Sequence, residues 1–141
     1  MSKNIALTLK QYLVRNMSFS INEDFVPGPE QIDLHPLFHK TLTPLDANTA
    51  SIVLSCRIIK DISRPFYLNV EIEGIFSLDS WKEDKIKSAI MSNNTVAILF
   101  PYLRNLITML TANANVPPYI LPVVNINELL KEVEKNAEPI N

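Results

Sequence analysis

The chain has 141 residues, an apolar fraction of 47% and a formal net charge of −2, which supports one domain spanning 1–141 with a real core and is short for two. This balance excludes a disordered polyelectrolyte and offers no electrostatic footprint for nucleic acid. The only cysteine, Cys56, leaves no internal disulfide and suits a reducing, cytoplasmic compartment.

The N-terminal run from Met1 breaks at Thr8, Lys10 and Gln11 before a signal-peptide core forms. From Leu9 to Ile21 the residues alternate, placing Leu13, Met17, Phe19 and Ile21 on one side and Tyr12, Val14, Asn16, Ser18 and Ser20 on the other. That is a half-buried strand. Asn22 to Pro36 contains Pro27-Gly28-Pro29 and several acids, so it reads as a long surface crossover. A shorter strand follows at Leu37–Leu42. After a turn at Asp46-Ala47-Asn48, Ile52, Leu54, Cys56 and Ile58 oppose Val53, Ser55, Arg57 and Ile59 in a central strand. Beyond Arg64-Pro65, Phe66, Leu68, Val70 and Ile72 oppose Tyr67, Asn69, Glu71 and Glu73 before an expected turn at Gly74. Such runs build an antiparallel sheet with one covered face and one wet face.

The period then changes. Ser80 with Glu83 forms a capping-box pattern, predicting a short helix from Trp81 to about Met91. A break at Ser92-Asn93-Asn94 precedes a longer helix over Thr95–Ala112, kinked at Pro101 and ended by Val116-Pro117-Pro118. A last helix is capped by Asn125 with Glu128, and Ile126, Leu129, Leu130 and Val133 form its apolar stripe. No stretch approaches the roughly 20 apolar residues of a membrane span, because Val96–Leu110 carries Pro101, Arg104 and Asn105. Membrane insertion is therefore not expected. Apolar residues nonetheless surround most of the long helix, more than one sheet face can cover. The simplest second cover is another copy of the chain, with Leu99, Leu103, Leu106 and Leu110 as interface candidates.

Motifs of catalysis are scarce. His35 and His39 have metal-like i, i+4 spacing, but Pro36 lies between them in extended surroundings without a third ligand. Cys56 sits on the apolar side of a strand and reads as core. Two glycines cannot build the usual phosphate or dinucleotide loops. Neither a cofactor nor an enzyme activity is indicated.

Three segments resemble one family. Gln11-Tyr12-Leu13-Val14-Arg15-Asn16-Met17-Ser18-Phe19 is similar to the first strand of the SecB export chaperones, and Val70-Glu71-Ile72-Glu73-Gly74-Ile75-Phe76-Ser77 to a later strand. The most specific match is Ile98-Leu99-Phe100-Pro101-Tyr102-Leu103-Arg104, continued by Ile107-Thr108 and then Leu121-Pro122-Val123-Val124-Asn125. The resemblance implies an α+β fold: a four-stranded antiparallel sheet with a crossover after the first strand, packed on two main helices, in a dimer-of-dimers homotetramer. It also implies an ATP-independent holdase for unfolded client or precursor proteins, since binding many sequences calls for adaptable apolar area. Candidates for a client groove between crossover and helical layer are Leu34, Phe38, Trp81, Tyr102 and Tyr119. Family members dock the motor SecA through acidic residues on the exposed sheet face, at places that here read Asn16, Ser20 and Asn69. With Tyr12, Tyr67 and Glu71 these form the candidate docking face, and SecA docking is expected to be weakened. Three other readings stay open: a chaperone dedicated to one client, such as a toxin-antitoxin partner; a small-ligand enzyme using His35 or His39 with Asp33; and a purely structural oligomer.

Overall fold

A computed structural model describes residues 6–29, 32–115 and 130. Four strands, β1 (Thr8–Ile21), β2 (Leu37–Pro44), β3 (Thr49–Ile58) and β4 (Phe66–Ser77), form one antiparallel sheet in the order β1-β4-β3-β2. Residues 22–36 cross from one edge of the sheet to the other. The two central strands follow their alternation: Ile52, Leu54, Cys56 and Ile58 of β3 and Leu68, Val70 and Ile72 of β4 are all buried on the inner face. Gly74 makes no turn. It lies inside β4 opposite Tyr12, where an added Cβ would stand 2.6 Å from the Phe76 ring and 3.0 Å from the Leu99 side chain. The helix approaches the sheet at this point too closely for any larger residue.

β1 departs from simple alternation. Extra residues at Lys10 and Arg15 interrupt its pairing with β4, between Leu9 and Gln11 and between Val14 and Asn16. Each β-bulge shifts the phase of the strand by one. Paired residues of an antiparallel ladder share a face, so Tyr12 opposite Gly74 and Val14 opposite Ile72 join Met17, Phe19 and Ile21 on the inner face. Leu13, opposite Glu73, goes to the outer face. The expected grouping of Tyr12 and Val14 with Asn16, Ser18 and Ser20 is thus corrected.

The helical region also differs from expectation. Ser80 has left-handed backbone (φ 50°) and no side-chain cap; a 3-10 turn occupies Trp81–Glu83. Asp84 is the cap, accepting the Ile86 N–H at 2.8 Å, and α1 covers Lys85–Ala89. No break follows. A π-helical turn, Ile90–Asn94, carries the chain directly into α2 (Thr95–Asn113). The Lys40 ammonium donates to the Ser92 carbonyl at 3.1 Å, and Thr95 Oγ1 donates to the Met91 carbonyl at 2.6 Å. By length and composition Lys85–Asn113 can span a bilayer, contrary to the sequence reading, yet one side of it is packed on the sheet: Val96, Leu99, Phe100, Leu103 and Ile107 are buried. The last helix expected from Asn125 lies outside the described residues, apart from Leu130, which is helical and buried. The described architecture is therefore a four-stranded sheet with one main helix.

Candidate client-binding and docking surfaces

α2 lies over β3 and β4, and the buried line Leu99, Leu103, Ile107, Thr111 recurs every fourth residue along its sheet-facing side. Phe100 meets Phe38 of β2 edge-on at 6.0 Å between ring centroids. Toward β1 the cover ends at one aromatic pair, Tyr12 against Tyr102 at 4.7 Å. Burial, with the Tyr102 hydroxyl adding to it, raises the Tyr12 phenol above its ordinary pKa. Beyond that pair the inner face of β1 is open: Val14 is 41% and Met17 49% exposed. Ile98, Tyr102 and Met109 are exposed on α2 as well.

The crossover forms a second apolar region. Asn22 anchors its start, its amide donating to the Pro65 carbonyl at 2.9 Å and Nδ2 to the Arg64 carbonyl at 2.8 Å. Phe25, Val26 and Ile32 then line a cleft of about 400 Å³ with Asp33, His35 and Ser63. Val26 and, on the β3–β4 loop, Ile62 are the most exposed large apolar side chains, at 81% and 80%. Asp33 accepts the His35 backbone N–H and meets His35 Nε2, both at 3.0 Å. His39 lies in β2 opposite Ser55. Among the described residues no three His, Cys, Asp or Glu side chains are placed to hold a metal. Burial pushes the Cys56 thiol up to about 12, far from the thiolate a nucleophile requires.

The outer sheet face is polar and its acids are engaged. The bulged Arg15 reaches across to β4, with Nη1 3.1 Å from Glu73 and Nε 3.6 Å from Glu71. Glu73 also accepts from the Ser51 hydroxyl. One guanidinium therefore compensates both Glu71 of the candidate docking face and its neighbour Glu73. Arg15 is not among the sequence candidates, because its reach follows from the bulge.

The sequence candidates divide accordingly. Asn16, Ser20, Tyr67, Asn69 and Glu71 share the outer face, whereas Tyr12 packs on the inner one and leaves the docking set. Among client candidates Leu34 is half-buried and Tyr102 is exposed, but Phe38 and Trp81 are buried. Phe38 stacks in the core, and Trp81 sits beneath β3 with its indole N–H directed at the Thr49 carbonyl, 3.4 Å away. Tyr119 lies outside the described residues. Of the interface candidates, Leu99 and Leu103 retain no accessible surface to offer a partner; Leu106 and Leu110 are half-buried at the margin. The surface α2 does offer comes from residues one position away on the helical wheel, Ile98, Tyr102 and Met109.

Comparison with known proteins gives the family of this fold. The model of the family described as preprotein translocase subunit SecB matches residues 2–137. The chain belongs to the SecB family of chaperones, which are not enzymes. It is 34% identical to an uncharacterized protein of Methanocaldococcus jannaschii over 94% of this chain and 88% of that one. It is 30% identical to the protein-export protein SecB of Anaplasma phagocytophilum, over 52% of this chain and 48% of that protein, about half of each. Among solved structures it resembles a Mycobacterium tuberculosis SecB-like chaperone in complex with an antitoxin peptide, with TM-score 0.65, 16% identity and coverage of 84% of this chain and 90% of that one. This last likeness is one of fold.

Proposed function

We propose that the protein is a cytosolic, ATP-independent holdase that binds unfolded polypeptide segments on its exposed apolar surfaces and assembles through copies of itself, as a dimer of dimers. The observation carrying this reading is the crossover cleft, where Phe25, Val26 and Ile32 line an open apolar surface and Val26 is 81% exposed. Each apolar contact is worth about 1.5–3 kcal/mol when fully buried, so several weak subsites act together on one extended client. Assembly is supported by the open inner face of β1 and the outward side of α2. The test is suppression of aggregation of a chemically denatured client, read by light scattering without nucleotide. The unmodified protein suppresses scattering and Val26→Asp with Ile32→Asp loses most of that suppression; equal suppression by the two proteins refutes the assignment to the cleft, and none by either refutes the holdase.

A dedicated client is favoured over general export by one feature, the lack of an acidic patch on the outer face. Where family resemblance calls for acids the chain has Asn16, Ser20 and Asn69, and its remaining Glu71 and Glu73 are held by Arg15. SecA docking is accordingly weak. Titration with the motor's basic C-terminal segment gives little heat on this reading; tight, salt-sensitive binding overturns it.

A further inference from the structure

At the crossover end of the outer sheet face the charge is positive and uncompensated. Arg57, the last outward-facing residue of β3, and Lys60, just beyond the strand, are both exposed and border a shallow cleft of about 310 Å³ with Ser18, Ser20, Tyr67 and Asn69. Among the described residues neither cation has a carboxylate within 4.0 Å. The acids nearby are engaged: Glu71 and Glu73 by Arg15, and Asp61 by the amide and hydroxyl of Ser63, at 2.8 and 2.6 Å. Arg64, the remaining cation of the β3–β4 loop, is turned back to the Ile59 carbonyl at 2.6 Å. The cleft floor supplies neutral hydrogen-bonding groups, and Asn69 Oδ1 beneath it has no partner.

We infer that this end of the outer face docks an acidic, extended polypeptide segment of a partner protein. Its Asp and Glu side chains pair with Arg57 and Lys60, while the serine, tyrosine and asparagine groups accept and donate along its backbone. Extended backbone fits because the floor is a pleated surface with polar groups repeating every second residue. Two cations amid neutral side chains are too few for the counterion release that drives nucleic-acid binding. Carboxylates and a guanidinium form the favourable planar pair. The docking is independent of self-association through β1, since the cleft lies on the opposite face of the sheet from that strand's open apolar surface.

The test uses fluorescence anisotropy of the intact protein with a labelled peptide of alternating Glu and Ser residues, a Gln-Ser peptide, and a single-stranded oligonucleotide of the same charge. The Glu-Ser peptide binds, the Gln-Ser peptide does not, and affinity falls about tenfold in Arg57→Glu with Lys60→Glu, because attraction becomes repulsion. Lys85→Glu, a charge reversal at an exposed residue of α1 outside the cleft, is the control and retains binding. The inference is overturned by absence of Glu-Ser binding, by binding indifferent to the double reversal, or by tighter binding of the oligonucleotide. Both reversed side chains are exposed, and an unchanged circular dichroism melt confirms that the fold is intact.

Discussion

The inner face of the sheet is dry over its centre and open along one edge. Over β3 and β4 every inward side chain from Ala50 to Ile58 and from Phe66 to Phe76 is buried, while on β1 Val14, Met17 and Ile21 are 41–49% exposed. The strands are equally apolar; what differs is the cover. Four strands about 4.8 Å apart span roughly 15 Å between outer axes, whereas a helix is only about 10–12 Å across with its side chains. A single helix placed over β3 and β4 must leave an edge unsealed. That apolar edge is where self-association gives the largest return, and the first prediction attacks it. On the assembly proposed above, Val14→Asp with Met17→Asp yields monomers where the unmodified protein is oligomeric, read by light scattering on a size-exclusion column, and abolishes the concentration dependence of Tm. Persistence of the oligomer sinks the claim that β1's inner face takes part.

The dry half is sharpened by the opposite change. Leu99→Ala leaves a cavity against Gly74 and Phe76 and lowers the unfolding free energy by about 2–5 kcal/mol, at every protein concentration. Met109→Ala, on the open side of α2, lowers it by less than about 0.5 kcal/mol in the dissociated subunit. Urea denaturation compares them; equal effects erase the distinction between the halves. The same dryness has a pH signature at Cys56, whose folded pKa of about 12 stands above its ordinary 9.0. A raised pKa stabilises fully below the unfolded value and is lost as pH rises toward the folded one, at about 1.36 kcal/mol per unit. Between pH 9 and 12 the native protein therefore loses stability that Cys56→Ala does not lose.

The central strands were legible in the sequence because nothing interrupts their period of two, so Ile52 to Ile58 and Phe66 to Ile72 fell on the expected sides. β1 was legible as a strand but not in its facing. A bulge leaves no mark in an alternating run, and the extra residue at Arg15 is enough to turn Tyr12 and Val14 inward. Gly74 was read as a turn since glycine's commonest use is conformational; its use here is steric. Ser80 matches a capping pattern by spacing, yet it has left-handed backbone and makes no side-chain cap, and Asp84 caps instead. Phe38 and Trp81 are buried whereas Tyr102 is exposed, a division that sequence alone does not make because large rings are as valuable in a core as on a binding surface. Of the outer-face candidates all but Tyr12 lie on one side of the sheet, while the pairing of Glu71 and Glu73 was not legible because it depends on one guanidinium delivered by the bulge.

That bulge links the two faces and carries the smallest predicted effect. Turning Val14 inward and directing Arg15 outward are consequences of the same extra residue, which opens the apolar edge on one side and neutralises Glu71 and Glu73 on the other. Arg15 and Glu71 are each more than a third exposed, so their pairing contributes at most about 1 kcal/mol to stability. Arg15→Ala accordingly leaves Tm nearly unchanged. It removes the charge compensating two carboxylates that sit two residues apart on one face of β4, and these then present a net negative site to a basic peptide. Binding of the motor's basic C-terminal segment rises by about fivefold at low salt, and the gain disappears at high salt as screening shortens to about 3 Å. Adding Asn16→Asp and Asn69→Glu raises it further on the same face. If Arg15→Ala gains nothing while the acidic pair of substitutions does, compensation by Arg15 is not what silences the face, and the missing carboxylates alone account for it.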